Sequence, residues 1–214
     1  SRDSRVSPLV RADTDLYYAF YRDNLGFRSD ENIRLLKEAV NLEQRTHQPP
    51  NELGMAVSML ANDFLDRGLP DQAEPYLLQA QQIYGNDPAL LCGRAQVEDG
   101  LGYVIGKRGD LKKAIEVQQQ AYEDMKQCSG ATSHQAAYEA TYLADLLLKA
   151  GRNQEALDLM EKTIPSERKI AGNSTDFSDS LRVLGKADLK SGHLPEAEAA
   201  VKEAHVGAIM DSYN

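Results

Sequence analysis

Four glycines, Gly68, Gly109, Gly151 and Gly192, recur 41, 42 and 41 residues apart, and each is followed five residues later by an alanine: Ala73, Ala114, Ala156 and Ala197. A fixed period in this range marks an array of one supersecondary unit, because each copy must repeat the same turn and the same contact. The first copy reads LANDFLDRGLPDQAEPYLLQA over residues 60–80. Leu60, Ala61, Phe64 and Leu65 share one helical face before the glycine, and Ala73, Leu77 and Ala80 share another after it. Glycine can leave a helix through a left-handed conformation, and Pro70 suits the first turn of the next helix, where its missing donor is not needed. Each copy is therefore expected to be two antiparallel helices joined by a tight turn. The other copies read LGYVIGKRGDLKKAIEVQQQA, LADLLLKAGRNQEALDLMEKT and LGKADLKSGHLPEAEAAVKEA.

These copies resemble the tetratricopeptide repeat family. The first carries the motif as Val57, Leu60, Ala61, Phe64, Gly68, Ala73 and Ala80, and the second as Leu101, Gly102, Ile105, Gly109, Ala114 and Ala121. The third has Leu143, Ala144, Leu147, Gly151 and Ala156; the fourth has Leu184, Gly185, Gly192, Ala197 and Ala204. In the fourth, Asp188 stands where the others have Phe64, Ile105 and Leu147, and Leu189 is expected to take over that contact. The long period is similar to that of the kinesin-light-chain style of the motif, as is the stretch from Gly68 to Leu77. The resemblance implies an all-α, right-handed α-α superhelix, a solenoid of four clear hairpins plus one degenerate N-terminal hairpin. Small residues at 61, 102, 144 and 185 then let the two helices of a hairpin cross closely, and neighbouring hairpins stack to bury what each cannot bury alone.

The expected organisation is a polar connector over residues 1–11, a capping hairpin over 12–50, and repeats over 51–214, divided as 51–87, 88–131, 132–173 and 174–214. Thr14 or Asp15 would cap a helix through LYYAFYRDNL, and Ser29 or Asp30 the next. Five aromatics crowd the first hairpin: Tyr17, Tyr18, Phe20, Tyr21 and Phe27. They either cover the open end of the first repeat, as atypical terminal repeats do, or form a patch that faces a ligand. Breakers at 48–51, 85–88, 129–133 and 171–176 separate the hairpins, and Asp87–Pro88 is a good cap and first-turn pair. Pro165, in PSERKIAG, marks either a kink or a separate turn. Val201, Val206, Ile209, Met210 and Tyr213 make the last helix apolar, an uncapped end through which the chain is expected to pack on another copy or on a continuation.

A formal charge of −9 argues against a general nucleic-acid binder, which needs a basic footprint. The richest apolar run, YLADLLLKAG, is broken by Asp145 and Lys149 and does not approach a membrane span. There is no signal-peptide pattern, which favours a cytoplasmic setting, and no initiating Met, which fits a piece of a longer chain. Cys92 and Cys128 fall at the same end of the second hairpin, so a bridge is conceivable, but the absence of a secretory signal favours two free thiols. No cofactor, metal-ligand or nucleophile–base pattern is present; the glycines of VIGKRGDLKK have the wrong spacing for a phosphate loop.

A non-catalytic protein-interaction role is therefore expected. The resemblance implies a concave groove lined by the first helices of successive hairpins and holding a partner peptide. Its candidates here are Asn62, Asp66, Asp99, Tyr103, Tyr138, Asp145, Arg182, Lys186 and Lys190, with Ser58 and Thr141 beside them. The family's carboxylate clamp for chaperone tails is disfavoured: its places hold Ser58, Asn62, Gly100, Tyr138 and Tyr142, of which only Asn62 matches. Arg182, Lys186 and Lys190 form a basic row, either a site for an acidic peptide or a solvated face. Two other roles are a sensory or regulatory domain of a larger bacterial transcription regulator or signalling kinase, and a self-assembly scaffold.

Overall fold

The computed structural model describes residues 7–24, 29–171 and 175–211. Among them the chain is all-α, with ten helices and no strand. It forms two compact units, Ser1–Lys107 and Arg108–Asn214. The first unit holds α1 (Pro8–Asn24), α2 (Asp30–Arg45), α3 (Pro50–Asp66), α4 (Pro70–Tyr84), a 3-10 turn at Pro88–Leu90 and α5 (Leu91–Lys107). The second holds α6 (Leu111–Ser129), α7 (His134–Lys149), α8 (Asn153–Ala171), α9 (Thr175–Ser191) and α10 (Leu194–Asp211).

Local chemistry sets the helix ends. All four repeat glycines have positive φ, between 69° and 90°. A Cβ is strained there, and glycine is the residue that avoids the strain. Beside three of them the same closure recurs: the N–H of Leu69 donates to Phe64 O, that of Arg152 to Leu147 O and that of His193 to Asp188 O, each at 2.9 Å. The Asp87 carboxylate accepts from Ala89 N at 2.9 Å and Ser133 Oγ from Ala136 N at 3.1 Å, so both breaker segments open their helices with a side-chain cap. Pro70 opens α4 as expected. Pro165 lies inside α8, which continues to Ala171, so residues 165–171 are not a separate turn.

In the first unit α4 packs on α3 and α5, and in the second α7 and α9 pack on each other and on α8. The motif positions behave as their size requires. Ala61, Ala73, Ala114, Ala144 and Ala156 are fully buried. A Cβ on Gly185 would lie 3.1 Å from Val201 Cγ2 and 3.3 Å from Ala197 O, so α9 needs a small residue where α10 crosses it. Leu60, Leu77 and Phe64 fill the first unit's core, the last ring stacked 5.6 Å from Tyr76; Leu143, Leu157, Met160 and Leu181 fill the second's.

Several expectations are corrected. Helix α1 starts at Pro8, and Thr14 donates to Val10 O inside it rather than capping it. Ser29 stands at the head of α2 but caps nothing with its side chain; its hydroxyl accepts from Arg22 instead. Tyr17, Tyr18 and Tyr21 are more than half exposed, so α1 is anchored by Leu16 and Ala19 and these rings do not form a cover. Leu189 does not replace Asp188: the leucine is 57% exposed while the carboxylate stays in the motif's buried place, 3.5 Å from His193 Nδ1. Neither cysteine is a free thiol; Cys92 and Cys128 are both disulfide-bonded. Phe27 and Tyr213, and the side chains of Phe20, Val206, Ile209 and Met210, lie outside what is described.

Candidate functional site

The candidates divide between the units. In the first, α3 carries Asn62 and Asp66, both exposed, and α5 carries Asp99 and Tyr103, both half-buried. Lys107 lies over the Tyr103 ring at 5.0 Å. Ser58, placed beside them by the repeat register, faces inward instead: it is buried and donates to Gly54 O at 2.8 Å.

In the second unit α7, α8 and α9 border an open cavity of about 320 Å³. Four sequence candidates line it: Tyr138 and Asp145 from α7, Arg182 and Lys186 from α9. The i, i+4 and i, i+7 spacing of a helix puts each pair on one face, and the packing of α7 on α9 turns the two faces together. Thr141 and Tyr142 lie between them on α7. Lys190 does not line the cavity; its ammonium donates to Leu148 O at 3.0 Å.

The basic row is compensated within the protein. Arg182 pairs with Asp179 at 2.8 Å, and Lys186 approaches Asp145 at 3.9 Å, a carboxylate that Lys149 also holds at 2.6 Å. These pairs are at least partly exposed, so each contributes little to stability, but together they remove the excess positive charge. Four carboxylates, Asp145, Glu167, Asp176 and Asp179, line the cavity against two cations.

The floor comes from a residue outside the sequence candidates. Glu167 enters from α8 and is 1% exposed. Its Oε1 accepts from Ser180 Oγ at 3.0 Å, while its Oε2 is buried without a hydrogen-bond partner among the described residues. Ser180 lies 2.8 Å from Thr141 Oγ1, and Asp176 at the rim pairs with His134 Nε2 at 3.0 Å. Burial pushes the Glu167 carboxyl above its ordinary range, opposed by the Ser180 hydrogen bond and by His134. A signal for it exists. Glu167 lies sixteen residues after Gly151, the place held after Gly68 by Tyr84 and after Gly109 by Met125, so a carboxylate occupies an otherwise apolar repeat position.

The tetratricopeptide repeat family model matches residues 93–169. The fold is that of solved repeat structures. A putative kinesin light chain from Podosopora anserina with nearly identical TPR-like repeats is 17% identical, with 98% of this chain and 100% of that one covered and a TM-score of 0.72. Aspartyl phosphate phosphatase F from Bacillus subtilis is 13% identical, with 99% of this chain but 54% of that one covered and a TM-score of 0.78. YrrB, described as a TPR protein with an unusual peptide-binding site, is 14% identical, with 95% and 92% covered and a TM-score of 0.51. At these identities the likeness shows the fold alone. No curated protein matches the sequence significantly. No helix among the described residues is long and apolar enough to cross a membrane.

Proposed function

We propose that this chain, which carries tetratricopeptide repeats, is a non-catalytic protein-interaction module that holds a segment of a partner protein on the face shared by α7 and α9. One observation carries the reading. Four of the nine residues expected to meet a peptide, Tyr138, Asp145, Arg182 and Lys186, line a single cavity of about 320 Å³. That volume is at the lower end for a ligand pocket and suits one or two side chains of an extended segment rather than a large cofactor. Tyr138 is 51% exposed at its edge, an aromatic surface of the kind that anchors peptides. Thr141 and Tyr142 add polar groups that can fix orientation, and YrrB, on the same fold, is described as having a peptide-binding site.

An arrayed peptide library probed with the purified chain and with a Tyr138→Ala/Arg182→Glu variant tests this. Both substituted side chains are more than one-third exposed, so circular dichroism should show the variant folded. Peptides retained by the parent and lost by the variant are expected. Retention unaltered by the double change moves the site off this face, and no retention by the parent ends the peptide reading.

A further inference from the structure

The hydrogen-bond inventory of the cavity floor is short of donors. Thr141 and Ser180 bring one hydroxyl proton each. Around them stand Ala137 O at 3.0 Å from Thr141 Oγ1, Asp176 O at 3.1 Å and Glu167 Oε1 at 3.0 Å from Ser180 Oγ, and each hydroxyl oxygen lies within reach of the other. The two protons are shared among these, and Glu167 Oε2 has no hydrogen-bond partner among the described residues. A buried carboxylate oxygen left so is costly, and the cost is relieved by a group that brings its own protons and positive charge. Arg182 and Lys186 do not relieve it from within, since their nearest carboxylates are Asp179 and Asp145.

We propose that the cavity takes a cationic nitrogen donor, the ammonium or guanidinium of a lysine or arginine side chain on the partner segment, with the Glu167 carboxylate as its acceptor. This rests on the reading of the α7–α9 face as a peptide site and adds its specificity. The carboxylate surplus of the lining gives the cation a favourable field, and the Ser180 bond holds the Glu167 carboxylate in orientation. The proposal reverses the polarity that the basic row alone implies for the partner.

The test is a titration of the ¹⁵N-labelled full chain with butylammonium, butylguanidinium, butyramide and butyrate, followed at the backbone amides of Thr141, Glu167 and Ser180. The two cations are expected to shift these signals saturably, and the neutral and anionic probes are not. Glu167→Gln keeps the shape and the Ser180 contact, and should weaken cation binding roughly tenfold or more, the size of a lost charge-assisted bond. Butyrate binding as well as the cations, no saturable shift from either cation, or equal affinity in Glu167→Gln overturns the assignment. If that variant does not fold, the ranking of the four probes on the parent decides. A second arm replaces each Lys and Arg of array-selected peptides with norleucine. Loss of binding at one position supports a side-chain source. Selected peptides indifferent to the change overturn this inference and leave the groove reading standing. Amine binding with no peptide retained overturns both.

Discussion

The same repeat position does opposite things in the two units. Sixteen residues after its turn glycine, the α3–α4 hairpin places Tyr84 and the α7–α8 hairpin places Glu167. The Tyr84 ring is 6% exposed and lies against two glycines: a Cβ on Gly54 of α3 would sit 2.5 Å from its Cε1, and one on Gly93 of α5 2.6 Å from its Cζ. The helices on either side have thus given up their side chains to admit an aromatic. At Glu167 the corresponding residues are Ala137 and Asp176, the incoming side chain is smaller and carries a carboxyl group, and a cavity with three further carboxylates in its lining borders it. One hairpin uses the position to close its layer, and the other leaves it as a floor.

Truncation gives the largest expected difference. Tyr84→Ala removes a ring that fills a closed space and should cost about 3 kcal/mol or more by urea unfolding. Glu167→Ala takes away a carboxylate that is itself costly to bury, and should cost much less than that. Equal losses would mean that the two positions perform the same packing role, and the comparison would fail.

The hairpins on which this contrast stands are legible in the sequence. Turn glycines and crossing alanines impose steric demands that few residues meet, so they repeat visibly and fixed the hairpins. Tyr138, Asp145, Arg182 and Lys186 were legible because the repeat register places them on first-helix faces. Glu167 was not, because it follows Pro165 on a second helix whose motif positions are read as core. Comparing it in phase with Tyr84 and Met125 exposes it, and no single window does. Ser58 misled because register assigns a helix position but not how far the helix is rotated into its neighbours. Asp188 and Leu189 show the same limit: the buried place was held by position, against the hydropathy of the two residues.

A sign reversal sharpens the account of Tyr84. Gly54→Ala in the parent forces a Cβ into the ring and should cost about 1–3 kcal/mol. In a Tyr84→Ala background the clash is gone, and alanine's greater helix propensity should make the same change neutral or stabilising by up to about 1 kcal/mol. Additive costs across the two backgrounds would show that Gly54 is small for some other neighbour.

The buried carboxylate predicts a smaller, pH-dependent difference. In the folded chain burial raises the Glu167 pKa, so over the interval between its unfolded value of about 4.3 and its folded value the native state holds more protons than the unfolded one. Stability contributed by the protonated group is complete below that interval and is lost as pH rises through it. The groups acting on it include His134 of α7, which lowers the pKa, and Asp176 of α9, which raises it. Subtracting the unfolding free energy of Glu167→Gln from that of the parent at each pH isolates the effect. The difference should fall on going from about pH 4 towards neutrality. A flat difference would place the carboxylate in contact with water and remove the floor from the cavity.

The smallest effect separates the two polarities of the site. Lys186 is exposed and only 3.9 Å from Asp145, so Lys186→Met should change folding stability by less than about 0.5 kcal/mol. Its electrostatic effect on a ligand has a definite sign. Removing one of the two cations makes the lining more negative, so butylammonium should bind slightly more tightly, and the gain should shrink as salt screens it. A site built for an acidic segment predicts the reverse, with acidic peptides weakened and butylammonium indifferent. The direction of the change, read at low and at moderate ionic strength, therefore tests whether Glu167 or the row of Arg182, Lys186 and Lys190 sets the charge that this face selects.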